Sequence, residues 1–169
     1  MDMIVNTGST TLRRSRRSGF SLIELLIVVA IILIIAAIAI PSLMRSRIAA
    51  NEASAVGSMR TFNTALASYA LTYGGGFATS LSDLGPASVP SSAAADLIDS
   101  VLVTGSKSGY SFSYTPGPVA SSGQVTSYSI TAVPIASNIS GVRKFYTDNS
   151  LVIRSTTTGT PSSSDPPIS

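Results

Sequence analysis

The chain has 169 residues, with eleven Lys and Arg against eight Asp and Glu, a formal charge of +3, and neither cysteine nor histidine. This composition excludes a disulfide frame and a thiolate metal site, and it removes the commonest general base. Four of the cations (Arg13, Arg14, Arg16 and Arg17) stand together near the start, so overall basicity makes no case for nucleic acid as a primary partner.

Directly after the arginines comes Ser18-Gly19, and then the run Phe20 to Ile40, whose one charged residue is Glu24. As a helix the run spans about 30 Å, the hydrocarbon thickness of a bilayer. It is too long for the apolar stretch of a secretory signal peptide, and the small residue precedes the apolar run instead of following it. A plain signal anchor explains the arginines and the length. It gives no reason for Glu24, because a carboxylate in lipid is costly without a partner.

The residues Arg17-Ser18-Gly19-Phe20-Ser21-Leu22-Ile23-Glu24-Leu25 resemble the processing signal of type IV prepilins and the related pseudopilins. The likeness extends over residues 13–50, through Ala36-Ala-Ile-Ala-Ile-Pro41. The resemblance implies that a prepilin peptidase of the membrane cuts after Gly19 and that the new amino terminus, Phe20, is methylated. It also implies that Glu24 serves assembly by setting subunit register. A favourable partner for Glu24 in a filament is the terminal amine of a neighbouring subunit, since buried charges are tolerated chiefly when paired. Removing residues 1–19 takes away four arginines and Asp2, leaving seven basic and seven acidic residues.

Beyond the span, Pro41 is expected to kink a helix that continues. Met59, Phe62, Leu66, Tyr69 and Tyr73 recur at helical spacing and form one apolar stripe, with Arg60, Asn63, Thr64 and Ser68 on other faces. Gly74-Gly-Gly76 ends the pattern, giving a rod about 80 Å long over residues 20–73. Arg45 and Arg47 read as an interfacial anchor on the outer side. Many pilins have a glycine about eight residues before the proline; here that position is Leu33. The stretch that unwinds in a filament is therefore expected to be short or confined next to Pro41.

Residues 74–108 connect the rod to a carboxy-terminal run of strands. Ser80 to Leu84 reads as one helical turn ended by Gly85-Pro86, and Ser91-Ser92 as the cap of a short helix over Ala93 to Leu102 with Leu97, Ile98 and Val101 inward. Four strands are expected, at Tyr110–Tyr114, Tyr128–Val133, Val142–Tyr146 and Leu151–Arg154, the last two joined by a turn at Thr147–Ser150. The tyrosines fit ordinary packing better than a conducting stack. Asn138-Ile-Ser140 matches a glycosylation sequon, a pattern that arises often by chance, and the aspartates form no ligand-dense loop.

The fold class expected is α+β: a long amino-terminal helix packed on a small antiparallel sheet of about four strands. The segments are a leader at 1–19, the helix at 20–73 (20–40 being transmembrane and then filament core), the connection at 74–108, the sheet at 109–154 and a mobile Ser/Thr/Pro-rich tail at 155–169. The resemblance implies a structural subunit with no catalytic residue, metal ligand or cofactor. Its partners are other copies of itself, the peptidase and methylase, the inner-membrane assembly machinery and, before assembly, the lipid bilayer. The expected location is the bacterial inner membrane with the carboxy-terminal domain outside the cytoplasm, and then a pilus on the cell surface. The alternatives are a pseudopilin of a type II secretion system and a signal-anchored enzyme or receptor domain.

Overall fold

The computed structural model describes residues 19–74 and 76–168, so the arginine cluster of the leader lies outside the described residues. One long helix, α1 (Leu22–Thr72), precedes a 3-10 turn (Leu81–Leu84), a four-residue helix α2 (Ser100–Val103), and strands β1 (Ser106–Lys107), β2 (Tyr110–Pro116), β3 (Tyr128–Pro134), β4 (Lys144–Asp148) and β5 (Arg154–Thr156). The chain divides between Ile40 and Pro41.

In the first unit, every residue from Leu22 to Ile40 is exposed except Ala36, which is half-buried. A helix that is apolar on all sides and covered by none of its own chain requires an apolar surrounding. By length and composition it suffices to cross a membrane.

In the second unit the rest of α1 is amphipathic. Met59, Phe62, Leu66 and Tyr69 of the expected stripe are buried, as is Ala55 one turn earlier, while Tyr73 lies one residue past the helix end and is partly buried. Gly74 takes φ +105, a left-handed conformation open to glycine at little cost, and this stops the helix. The strands form one antiparallel sheet in the order β1-β2-β3-β4-β5. Register places Phe112 opposite Ala132, Tyr114 opposite Ile130, and Phe145 opposite Ala132. Because side chains alternate along each strand, these residues share one face, and that face meets the helix stripe. Phe62 packs against Phe112 with ring centroids 5.5 Å apart, and Tyr110 against Phe145 at 5.9 Å. Each large side chain buried fully in this layer contributes about 1.5–3 kcal/mol.

The architecture is the expected one with five strands instead of four, because Ser106–Lys107 adds a short edge. Two strand boundaries move. Val142 and Arg143 stand outside β4 because their amides donate to Glu52 rather than to a neighbouring strand. Leu151 takes φ +63 and the final strand begins only at Arg154. The turn before it forms as expected: the Asp148 carboxylate accepts from the Ser150 amide at 2.9 Å, and the Asp148 carbonyl from the Leu151 amide at 2.9 Å.

The connection follows the sequence reading in its first half. Asp83 closes the 3-10 turn by accepting from the Ser80 and Thr79 amides at 3.0 and 2.9 Å. Of the helix expected over Ala93 to Leu102 only the end forms, as α2. The Ala95, Asp96, Leu97 and Ile98 amides donate instead to carbonyls of Asp83, Gly85 and Leu84, which removes the donors a helix would need. The cap belongs to Asp99, which accepts from the Leu102 amide at 2.7 Å, not to Ser91 or Ser92. Leu102 is buried and Val101 is exposed, the reverse of the inward facing expected for Val101.

The tail is part of the fold. Ser155 and Thr156 lie in β5, Arg154 bridges to Pro167, the Ile168 amide donates to the Ile153 carbonyl at 3.0 Å, and Pro161 is buried. Its composition resembles that of a disordered segment, but Ile168 packs against the domain core.

Candidate processing and assembly site

Gly19 and Phe20 precede α1 in non-helical backbone, and both are exposed. A peptide bond outside the helix offers its carbonyl and flanking residues to a partner, which a bond within a hydrogen-bonded turn does not. Helical bonding starts immediately afterwards. The Leu25 amide donates to the Ser21 carbonyl at 3.2 Å, which makes Ser21 the cap residue and Glu24 the third residue of the helix. Ser21-Leu-Ile-Glu24 is therefore spaced as a capping box, a signal the sequence reading passed over. Glu24 is exposed, and no cation of the described residues lies in ion-pair range of it. At this position a carboxylate is favoured by the positive end of the helix.

Hydrolysis between Gly19 and Phe20 would create an amine on Phe20, four residues before Glu24. In a single chain the two groups are about one helical turn apart. Pro41 lies within α1; lacking an N–H, it leaves the Ala37 carbonyl without its usual donor.

Two polar positions that the sequence reading did not single out fix the domain to the helix. Glu52 is 7% exposed. It accepts from the Val142 amide at 2.9 Å, the Arg143 amide at 3.0 Å and the Arg143 Nε at 2.7 Å. Burial works to raise its pKa, but the two backbone donors and the guanidinium outweigh that and leave it lowered. Asn63, expected on a solvated face, is buried. Its Nδ2 donates to Thr147 Oγ1 at 2.9 Å and to the Leu151 carbonyl at 3.3 Å, while its Oδ1 accepts from the Tyr128 hydroxyl at 3.0 Å. The sequence signal for both was available: Ala55, Met59 and Phe62 share a helical face with Glu52 and Asn63.

The aromatic residues pack as core. Tyr69 and Tyr73 lie 5.0 Å apart, Phe77 and Tyr128 4.8 Å, and Tyr114 and Tyr128 6.2 Å. Asn138 of the sequon is exposed in a turn with φ +63.

Comparison with curated proteins and with solved structures found no match to this chain. Residues 14–40 match the family model described as the prokaryotic N-terminal methylation motif, and this match, on the exposed Gly19-Phe20 junction and the apolar start of α1, supports a type IV prepilin-like protein.

Proposed function

We propose that this chain is a structural subunit of a type IV pilus. A prepilin peptidase cuts it between Gly19 and Phe20, Phe20 is N-methylated, and residues 1–19 leave as the leader. The mature protein then polymerises through residues 20–40, with Glu24 setting register against the Phe20 amine of a neighbour and Pro41 as the point where the helix bends. Residues 41–168 form the outer surface of the filament. The inner-membrane assembly machinery extracts the subunit from the bilayer.

The observation that carries this reading is the first half of α1. It is apolar on every face and left uncovered by its own chain, with one carboxylate three residues into the helix. A membrane accounts for the apolar surface before assembly, and packed copies of the same helix account for it afterwards. Only the assembled state gives the carboxylate a partner.

Two measurements test the proposal together. Mass spectrometry of material sheared from the cell surface should give a chain beginning at methylated Phe20. Electron micrographs of a deletion strain should show surface fibres lost. Intact fibres with blocked protein export would assign the chain to a secretion pseudopilin instead, and surface material still carrying residues 1–19 would overturn the processing scheme.

A further inference from the structure

The segment between β3 and β4 carries more exposed aliphatic surface than a solvated loop requires. Ile135 is 63% exposed, Ile139 64% and Val142 39%. The segment is hydrogen-bonded to α1. The Asn51 amide donates to the Ser140 carbonyl at 2.9 Å, and Glu52 holds the Val142 and Arg143 amides. These bonds fasten it to the turn of α1 around Asn51. Beside it lies a groove of about 260 Å³ lined by Met44, Arg47, Asn51, Ile139 and Ser140. Arg47 is exposed, and no carboxylate of the described residues pairs with it.

Met44 and Arg47 follow Ile40 by four and seven residues, about 6 and 10 Å of helix. The headgroup layer beyond a bilayer's hydrocarbon is about 5–8 Å deep on each side. We infer that the Met44/Arg47/Ile139 groove is a binding site for an anionic phospholipid, seating the phosphate on Arg47 and the adjoining glycerol and acyl carbons on Met44 and Ile139. The inference rests on the reading of residues 20–40 as the membrane anchor. Charge complementarity favours an anionic lipid, and the step of seven residues from Ile40 to Arg47 keeps the groove within chain reach of the headgroups. Because the loop is already fastened, binding orders little new chain. The consequence is a domain held down on the bilayer surface until it is extracted, with lipid release as part of the cost of extraction.

The chain has no cysteine, so single labels can be placed on the full-length protein reconstituted in vesicles. Fluorophores go on Ile139→Cys, on Ile32→Cys within the span, and on Val119→Cys. Val119 pairs with Val125, which in turn pairs with Phe77 beyond the end of α1, and this keeps the third label away from the groove. The label at 139 should be quenched by nitroxide lipids and shielded from iodide, and the label at 119 the reverse. Adding phosphatidylglycerol to phosphatidylcholine should strengthen lipid contact at 139 about fivefold, and Arg47→Glu should abolish that gain. Lipid quenching at 32 with iodide access at 139 equal to that at 119 overturns the site and spares the anchor. Loss of lipid quenching at 32 overturns both. Shielding at 139 that grows with protein density and shows no lipid quenching identifies a second copy as the occupant, and also overturns the site.

Discussion

Glu52 on the helix holds Arg143 by both its backbone amide and its side chain, at 3.0 and 2.7 Å. The two residues are 91 positions apart in the chain. The bond ties the amino-terminal end of the domain's helix to the connection between β3 and β4. Removing the carboxylate leaves the Val142 and Arg143 amides without their acceptor and Arg143 without its counter-charge. Glu52→Ala should therefore cost about 1–3 kcal/mol. The guanidinium side chain is 47% exposed, so Arg143→Ala should cost about 1 kcal/mol or less through the lost ion pair. Urea unfolding of the full chain in detergent measures both, and equal costs would show that the ion pair outweighs the backbone bonds.

The same carboxylate sets an acid limit. Burial raises the Glu52 pKa, the donors around it lower it further, and the folded value lies below that of the unfolded chain. Its contribution is therefore present above the ordinary glutamate range and is lost as pH falls through the folded value. Asp148 is lowered in the same direction: burial is the largest single influence, and hydrogen bonds from Ser150 and Tyr146 with the charge of Arg154 together outweigh it. Urea midpoints measured from pH 7 down to about pH 3 should fall. The fall should be shallower in Glu52→Gln, the remainder belonging to Asp148 and other acids.

Asn63 offers a sharper test of the interior. Three groups depend on its amide: Thr147 Oγ1, the Leu151 carbonyl and the Tyr128 hydroxyl. Asn63→Leu removes all three contacts and should cost about 3 kcal/mol or more, although leucine is the better helix former and nearly the same size. Tyr128→Phe removes one contact and should cost about 1 kcal/mol. Thermal unfolding monitored by circular dichroism separates the two. A neutral Asn63→Leu would mean that the amide network stabilises nothing.

Sequence periodicity was sufficient for the long helix, its apolar stripe and three of the strands, because those elements are fixed by local alternation that one chain displays on its own. It failed where the decisive bond is non-local. Ala93 to Ile98 has a helical composition, but its amides are taken by the Leu84 turn. The Ser/Thr/Pro tail looks disordered but packs through Ile168. Glu52 and Asn63 share a helical face with Ala55, Met59 and Phe62, but the groups that satisfy them come from residues 65 to 91 positions away. The methylation motif over residues 14–40 was legible because it is one contiguous pattern that needs no distant contact. No cation of the described residues lies in ion-pair range of Glu24, so the single chain names no partner for it.

Tyrosine ionisation gives an alkaline counterpart. Burial pushes Tyr110 and Tyr128 up to about 12, and it raises Tyr114 as well. A hydroxyl whose folded pKa exceeds its unfolded value stabilises the fold below about pH 10, and that stability is lost as pH rises toward the folded value. Stability should stay flat between neutrality and about pH 10 and then decline. Tyrosinate absorbance should show these buried rings ionising together with the loss of tertiary structure. Early, smooth ionisation of every tyrosine would contradict the packing of Tyr110 against Phe145.

Two glycines should respond oppositely to the same added methyl. Gly57 lies within α1, and a Cβ built there meets nothing within 4 Å. Gly57→Ala should stabilise by about 0.5–1 kcal/mol, because glycine in a helix interior loses more backbone freedom on folding. Gly141 stands against the Tyr110 ring, where a Cβ would lie 2.6 Å from Cζ and 2.7 Å from Cε2. That ring cannot move aside: it is fully buried, packed on Phe145, and its hydroxyl donates to the Arg143 carbonyl at 2.7 Å. Gly141→Ala should therefore cost about 1–3 kcal/mol by overpacking. Adding Tyr110→Leu should return much of that loss, since the ring is the obstacle, and the double-mutant cycle reads the coupling directly. If the two losses simply add, the Gly141 backbone is constrained by something other than this contact.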